Sequence, residues 1–111
     1  MIPLLDRQGA RLEADDSGLA VSGEVDFDVA AALAASGSEW LSSRPVGAHI
    51  HFDLQGVNRV SSAALSVMLE WTRVARAAGL EVSEVELSPP LARLTAVAGL
   101  DALLPPAAAS D

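Results

Sequence analysis

The chain has 111 residues, a length that supports one domain with a single hydrophobic core. Half of the residues are hydrophobic and 20% are charged, the balance of an ordinary globular protein. The formal net charge of -8 disfavours direct binding to nucleic acid or to an anionic membrane, because like charges repel. The absence of Cys excludes disulfides and thiolate chemistry, and the absence of Lys excludes Schiff-base and P-loop chemistry.

The sequence pattern predicts a protein that does not insert into a membrane. No apolar run reaches the roughly 18–20 residues that span a bilayer, and no basic segment leads into an apolar one at the N-terminus. We therefore expect a cytoplasmic protein.

Two short strands and a helix are predicted in the first part of the chain. Residues 10–14 and 19–22 are the strand candidates, and Asp-Asp-Ser-Gly at residues 15–18 has turn chemistry, because Asp and Ser bond their own backbone and Gly accepts positive φ. Residues 29–41 are rich in Ala and follow two Asp residues, which predicts a helix with an acidic first turn. Gly37 is expected to weaken that helix.

Residues 46–54 give the clearest strand prediction. Two sets of side chains alternate along it, the apolar Ile50, Phe52 and Leu54 and the polar His49, His51 and Asp53. One apolar and one polar face predict a sheet that is covered by helices on one side only.

The second half of the chain continues the alternation of helices and strands. A helix over residues 62–78 is closed by Gly79 as its C-cap, and residues 81–87 predict a strand. Ser88 as N-cap and Pro89 as first helical residue open a third helix, which runs to about residue 98. The order predicts an α/β sandwich over residues 1–104, and the low-complexity residues 105–111 are expected to form a frayed tail.

The predicted helix over residues 62–78 separates into two arcs at about 100° per residue. The arc predicted to cover the sheet holds Ala64, Val67, Met68, Trp71, Ala75 and Ala78. The opposite arc holds Ser62, Ser66, Glu70, Arg73, Arg76 and Ala77. Leu69 projects into this polar arc, with Leu65 at its edge. The two leucines predict a small exposed patch rimmed by Arg, typical of a protein-binding face, although an isolated exposed Leu is also ordinary.

Ser61 and Ser62 are predicted at the N-terminus of this helix. A hydroxyl there caps an orphan N–H group and is worth about 1 kcal/mol. The same helix end also favours negative charge, so a phosphate on Ser62 is electrostatically acceptable. The residues alone favour the cap.

Residues 54–65, Leu-Gln-Gly-Val-Asn-Arg-Val-Ser-Ser-Ala-Ala-Leu, resemble the signature loop of STAS domains, the fold of the anti-sigma-factor antagonists. Residues 23–26 resemble the exit of the family's second strand, and residues 80–104 its closing strand and short helices. Residues 63–71 and 87–91 are similar to one branch, the MlaB-like STAS subunit of Mla phospholipid-transport ABC complexes. The resemblance implies a STAS-like sandwich, with a small mixed sheet and helices on one face.

Two departures from the family pattern bear on Ser62, which occupies the family's hydroxyl position by this resemblance. That hydroxyl is phosphorylated in anti-sigma-factor antagonists and contacts the partner in the Mla subunit. The acidic residue that precedes it in the family is Ser61 here, and the family's Gly is Ala64. Both changes favour a permanent docking surface over a phosphorylation switch.

The resemblance implies a non-enzymatic cytoplasmic subunit, without a cofactor, that binds and stabilises or regulates an MlaF-like ABC ATPase. Through that ATPase it would join a permease and lipid-binding subunits at the inner membrane, and so contribute to outer-membrane lipid asymmetry. The docking face would comprise Ser61, Ser62, Leu65, Leu69, Arg73 and Arg76, with Leu69 as the apolar anchor.

Two alternatives remain within the family. One is an anti-sigma-factor antagonist switched by phosphorylation of Ser62. The other is a STAS module that binds a nucleotide or a small ligand itself, and no feature supports it, because phosphates would meet an acidic surface without Lys.

The sequence predicts neither a metal site nor a catalytic site. His49, His51 and Asp53 share one strand face, but a catalytic zinc needs three ligands with a supporting shell, and the chain has only these two His. The alternating Glu24, Asp26 and Asp28 lack the further oxygens that Ca²⁺ needs, and favour a strand end followed by a helix cap. No Ser-His-Asp ordering, carboxylate pair or Gly-rich phosphate loop has usable spacing.

Overall fold

Five strands and three helices make up the described part of the protein. A computed structural model describes residues 2–7, 9–58, 62–97 and 99. The elements in chain order are β1 (Ile2–Arg7), β2 (Ala10–Ala14), β3 (Gly18–Gly23), α1 (Phe27–Ser42), β4 (His49–Val57), α2 (Ser62–Ala77), β5 (Glu81–Leu87) and α3 (Pro89–Val97).

The strands form one mixed sheet in the order β1-β2-β3-β4-β5. β1 pairs with β2 and β2 with β3 in antiparallel fashion, whereas β3 pairs with β4 and β4 with β5 in parallel. The parallel pairs are joined by helices, as the alternating pattern predicted. The α/β class and the mixed sheet are therefore confirmed.

The hydrophobic core lies between the helices and one face of the sheet. Ile50, Phe52 and Leu54 of β4 are at most 1% exposed, and the Phe52 ring lies 5.6 Å from the Trp71 ring of α2, centroid to centroid. α2 packs against β5 and lies between α1 and α3, while α1 contacts β1 and β2. The other side of β4 carries polar residues, so the predicted one-sided cover is confirmed.

α1 is held at its start by a cap and in its middle by a close contact. The Asp26 carboxylate accepts a hydrogen bond from the Val29 N–H at 3.1 Å, as the acidic strand end predicted. Gly37 is buried against the Trp71 indole, where a Cβ would collide with the ring. The indole Nε1–H donates to the Ala34 carbonyl oxygen at 3.3 Å. Gly37 thus provides the space in which α1 and α2 approach each other.

Three details of the strands correct the sequence analysis. β1 was not predicted, and β4 begins at His49 because Val46 and Gly47 lie in a turn, Gly47 having φ of +88°. The turn at residues 15–18 is confirmed by the Ser17 N–H, which donates to the Asp15 carboxylate at 2.8 Å. Gly18, however, is not among the positive-φ glycines; it lies in β3, where a Cβ would collide with the His51 ring.

A bulge near the end of β4 sets the path of the chain into α2. Ala20 and Ser22 of β3 are opposite Asp53 and Gly56, so β4 has one extra residue between the two pairs. The extra residue shifts the alternation of buried and exposed side chains by one position. Val57 therefore faces the core and is 2% exposed. A Cβ at Gly56 would lie 2.8 Å from the Ser22 Cβ, so the small residue permits this close pairing.

The ends of α2 and α3 test two predicted caps. The Gly79 N–H donates to the Arg76 carbonyl and the Leu80 N–H to the Ala75 carbonyl, with Gly79 at φ of +77°, which confirms the C-cap. At α3 the Ser88 carbonyl accepts from the Ala92 N–H at 2.8 Å. Ser88 therefore is the N-cap residue and Pro89 the first helical residue, as predicted, but the buried Ser88 hydroxyl finds no partner among the described residues. The following Pro89 and Pro90 have no N–H group to donate to it.

Candidate functional site

α2 begins at the edge of the sheet where the parallel strands end. β3 ends at Gly23 and β4 at Val57, and the Asn58 N–H donates to the Gly23 carbonyl at 3.0 Å, which ties the two strand ends together. Ser62 is the first residue of α2 and is exposed. Ser61, a predicted docking residue and cap, lies outside the described residues.

The two predicted arcs of α2 are largely confirmed by burial. Buried residues facing the core include Ala64, Val67, Met68, Trp71 and Ala75. The exposed residues on the opposite side are Ser62, Ser66, Arg73, Arg76 and Ala77. Trp71, on the side of the helix that faces the core, is 0% exposed and has no contact with solvent.

The two leucines of the predicted patch differ in the structure. Leu65 is only 7% exposed and belongs to the core, so its prediction as part of an exposed patch was wrong. α2 has helices on both flanks as well as the sheet beneath it, so the arc that it buries is wider than the sheet alone would require. Leu69 is partly buried: part of its side chain packs against the core, and the other part is accessible to solvent.

A shallow depression of about 220 Å³ lies along the outer side of α2. Its lining among the described residues, which we name the α2 stripe, is Leu69, Thr72, Arg73 and Arg76. Thr72 and Arg73 lie three and four residues after Leu69, and Arg76 lies two turns after it, so the four side chains fall within one side of the helix. Three of them were predicted, and Thr72 was missed.

Thr72 was assigned to neither predicted arc of α2, and it is only 5% exposed. Its hydroxyl donates to the Met68 carbonyl oxygen at 3.0 Å, one turn earlier in the helix. The hydroxyl hydrogen is therefore used within α2. The position of Thr72 three residues after Leu69 was the signal that could have identified it.

Arg73 is the more constrained of the two cations in the stripe. Its Nε and Nη2 donate to the two carboxylate oxygens of Glu70 at 3.0 and 2.7 Å. This pairing holds the pKa of Glu70 below its ordinary value and raises the pKa of Arg73 further. Both side chains are accessible to solvent, so the pair fixes orientation more than it stabilises the fold.

The uncovered side of the sheet has a different character. Its central polar residues, which we name the open face, are His49, His51 and Asp53 on β4 and Glu81, Glu84 and Glu86 on β5. The His49 Nε2 lies 3.3 Å from a carboxylate oxygen of Glu81, and His51 pairs in register with Glu84. Within the described residues, no group of three or more His, Cys, Asp or Glu side chains is arranged to hold a metal ion.

The mixed five-stranded sheet with three helices is an α/β fold consistent with a STAS domain. The sequence profile of a family described as "Mlab, STAS domain" matches residues 9–105. The chain therefore belongs to the STAS domain family, in its MlaB-like form, as the resemblance predicted. A search of curated proteins found none that the chain matches. Among the described residues, no helix is both long and apolar enough to cross a membrane.

Proposed function

We propose that this protein is a non-enzymatic subunit of a phospholipid-transport, Mla-type ABC complex, and that it binds and stabilises or regulates the ATPase subunit. The observation that carries the proposal is the match of residues 9–105 to the MlaB-like STAS family. In this role the protein needs no cofactor and no contact with lipid. It reaches the cytoplasmic face of the inner membrane through its partner, and contributes to outer-membrane lipid asymmetry through the complex.

The α2 stripe is the proposed contact with the ATPase. Interfaces bind most strongly through a few anchors, and an apolar side chain bordered by Arg is a common composition for them. Leu69 supplies the accessible apolar surface, and Arg73 and Arg76 border it. Ser62 lies at the start of the same helix and extends the proposed contact towards the end of β4, with Ser61 beside it in sequence.

Leu65 has a supporting role in this proposal. Because it is 7% exposed and packed in the core, it holds α2 in place beneath the stripe and does not itself offer contact area. In this proposal, residues further along the helix contribute most of the binding free energy, and Leu69 is the anchor.

The proposal is tested by affinity capture of the tagged protein from its own cells, followed by mass spectrometry. The wild type is expected to recover an ABC ATPase together with its permease. Leu69→Arg places a charge in the centre of the stripe and is expected to weaken binding at least about a hundredfold, so that both proteins are lost. Ile2→Arg is the matched control, since it makes the same change at a 66% exposed residue on β1.

Two results would count against the proposal. Recovery of a serine-kinase-like anti-sigma factor, with phosphate on Ser62, would replace the transport role by that of a phosphorylation-switched antagonist. Equal recovery of the ATPase by wild type and Leu69→Arg would remove Leu69 from the interface while leaving the partner assignment intact.

A further inference from the structure

The α2 stripe is a cationic region on an anionic protein. The chain has a formal net charge of -8, and the open face alone carries four carboxylates. α2, in contrast, carries two Arg and one Glu, and that Glu is already bound to Arg73. An incoming protein therefore meets positive charge at the stripe on α2, and mainly negative charge at the open face on β4 and β5.

The floor of the depression is apolar. Leu69 contributes its partly exposed side chain, and the Thr72 hydroxyl donates its hydrogen to the Met68 carbonyl oxygen, so that hydrogen is not available to a ligand. A depression of about 220 Å³ has room for a large apolar side chain, whose burial there removes hydrocarbon from water. Binding at this floor is thus driven by an apolar group.

At the rim of the depression, one guanidinium has N–H donors that can bind another molecule. Arg73 uses two of its N–H groups on Glu70, whereas Arg76 makes no ion pair with another residue in the described part of the chain. Arg76 lies in the last turn of α2 and is exposed. A guanidinium presents five donors in a planar fork that matches a carboxylate in bidentate geometry. Arg76 is consequently the position on the stripe best suited to a carboxylate from another molecule.

We propose that the α2 stripe receives an acidic, apolar segment of the partner ATPase, in which an apolar side chain fills the depression at Leu69 and Thr72 and a neighbouring carboxylate pairs with Arg76. This inference rests on the proposed function and specifies the chemistry that the ATPase presents. Charge complementarity is its basis, because the stripe carries net positive charge on a molecule whose formal net charge is -8. The same complementarity speeds the encounter between the two proteins and orients it.

A second copy of this chain is the competing occupant. Its open face also carries carboxylates, so a head-to-tail contact between the stripe of one molecule and the open face of the next satisfies the charges in part. The open face has alternating polar residues at its centre, however, and offers no large apolar side chain to fill the depression. The ATPase segment fits both requirements, and self-association becomes an outcome of the test.

The experiment is calorimetric titration of the purified ATPase subunit with the full chain at about 50 mM and about 500 mM salt, which changes the range of electrostatic attraction. Arg76→Glu is expected to lower affinity at least about tenfold at low salt, and by a smaller factor at high salt. Leu69→Ala is expected to weaken binding by a similar factor at both concentrations. Arg11→Glu, on β2 and paired with Asp6, makes the same charge change far from α2 and is expected to leave affinity within about threefold.

The outcomes separate the two proposals. Wild-type binding that Arg76→Glu leaves unchanged or strengthens would overturn the acidic-segment inference and retain the ATPase role. Failure of the wild type to bind the ATPase would overturn both. Sedimentation of the chain alone that reveals self-association, lost in Arg76→Glu, would assign the stripe to a second copy.

Discussion

The α2 stripe and the open face are the two polar surfaces that differ most in this molecule. Both are accessible and both are built from regularly spaced polar residues, yet they carry opposite charge. Beneath the polar groups of the stripe lie Leu69 and Thr72, whereas the open face has carboxylates and imidazoles directly above the backbone of β4 and β5. The difference shows that a polar exposed surface becomes a candidate docking surface only where apolar area is accessible within it.

The same comparison separates stability from binding within one helix. The inner side of α2 carries Trp71 in contact with Phe52, and the outer side carries the stripe. Substitutions on the two sides should therefore change different measurements, and the following variants test how completely they do so.

The largest effect is expected for Trp71→Ala. The indole is fully buried, contacts the Phe52 ring and donates to the Ala34 carbonyl, so its removal leaves a large cavity and deletes one hydrogen bond between α1 and α2. The free energy of unfolding should fall by about 3–5 kcal/mol, measured by denaturant titration. Leu69→Arg, two residues away and on the outer side, should change it by less than about 1 kcal/mol, because the Arg stem can lie over the same surface. Similar losses in both variants would show that the two sides are not separate.

A smaller loss is expected for Gly37→Ala. In an open helix this change would add up to about 1 kcal/mol of stability. Here the new methyl group collides with the Trp71 indole, and forcing extra volume into a packed site costs about 1–3 kcal/mol. A net decrease in the midpoint of denaturation is the expected result, with Ser38→Ala in the same helix as the control. An increase for Gly37→Ala would mean that α1 and α2 can separate at little cost.

The smallest effect concerns Asp15, in the turn that borders the open face. The Ser17 N–H is the main cause that lowers the pKa of Asp15, and the charge of nearby His51 acts in the same direction. Because the folded pKa lies below the unfolded one, the ionised group stabilises the fold above the unfolded pKa of about 3.9. That contribution is lost as pH falls through the folded pKa.

Asp15→Asn keeps the acceptor oxygen and removes the charge. The variant should be less stable than wild type by a few tenths of a kcal/mol near pH 7, since solvent reaches this partly buried group and screens its charge. The difference in unfolding free energy should shrink as pH falls below about 4. A difference that is constant between pH 7 and pH 3 would assign the effect to the turn geometry and not to the charge.

Periodicity predicted the elements from β2 onward, because their apolar residues repeat with a clear period of two or 3.6. β1 lacked that signal, since Pro3 and an irregular register between Pro3 and Leu5 interrupt its alternation. The bulges in β4 and β5 follow from pairing between strands that are distant in sequence, which a single strand does not encode.

The sequence predicted most residues of the candidate site, but it did not predict the depression that they line. Arg73 and Arg76 were placed correctly from the helical wheel, as was the accessible side of Leu69. Leu65 was predicted at the edge of the polar arc and is buried, because a helical wheel takes account of one neighbouring surface, whereas α2 has three. The depression itself depends on the three-dimensional packing of side chains, so no spacing rule could predict it.

The orientation of Trp71 also has an optical consequence. The chain has two tryptophans, and the other, Trp40, is half-buried on α1 with the Arg44 guanidinium 4.7 Å from its ring centroid. A Trp40→Phe variant would therefore emit from a single indole that is enclosed in the core and points away from the α2 stripe. Its fluorescence would follow the integrity of the fold during a titration without being quenched or shielded directly by whatever occupies the stripe, so the protein carries an internal reference for its own binding experiments.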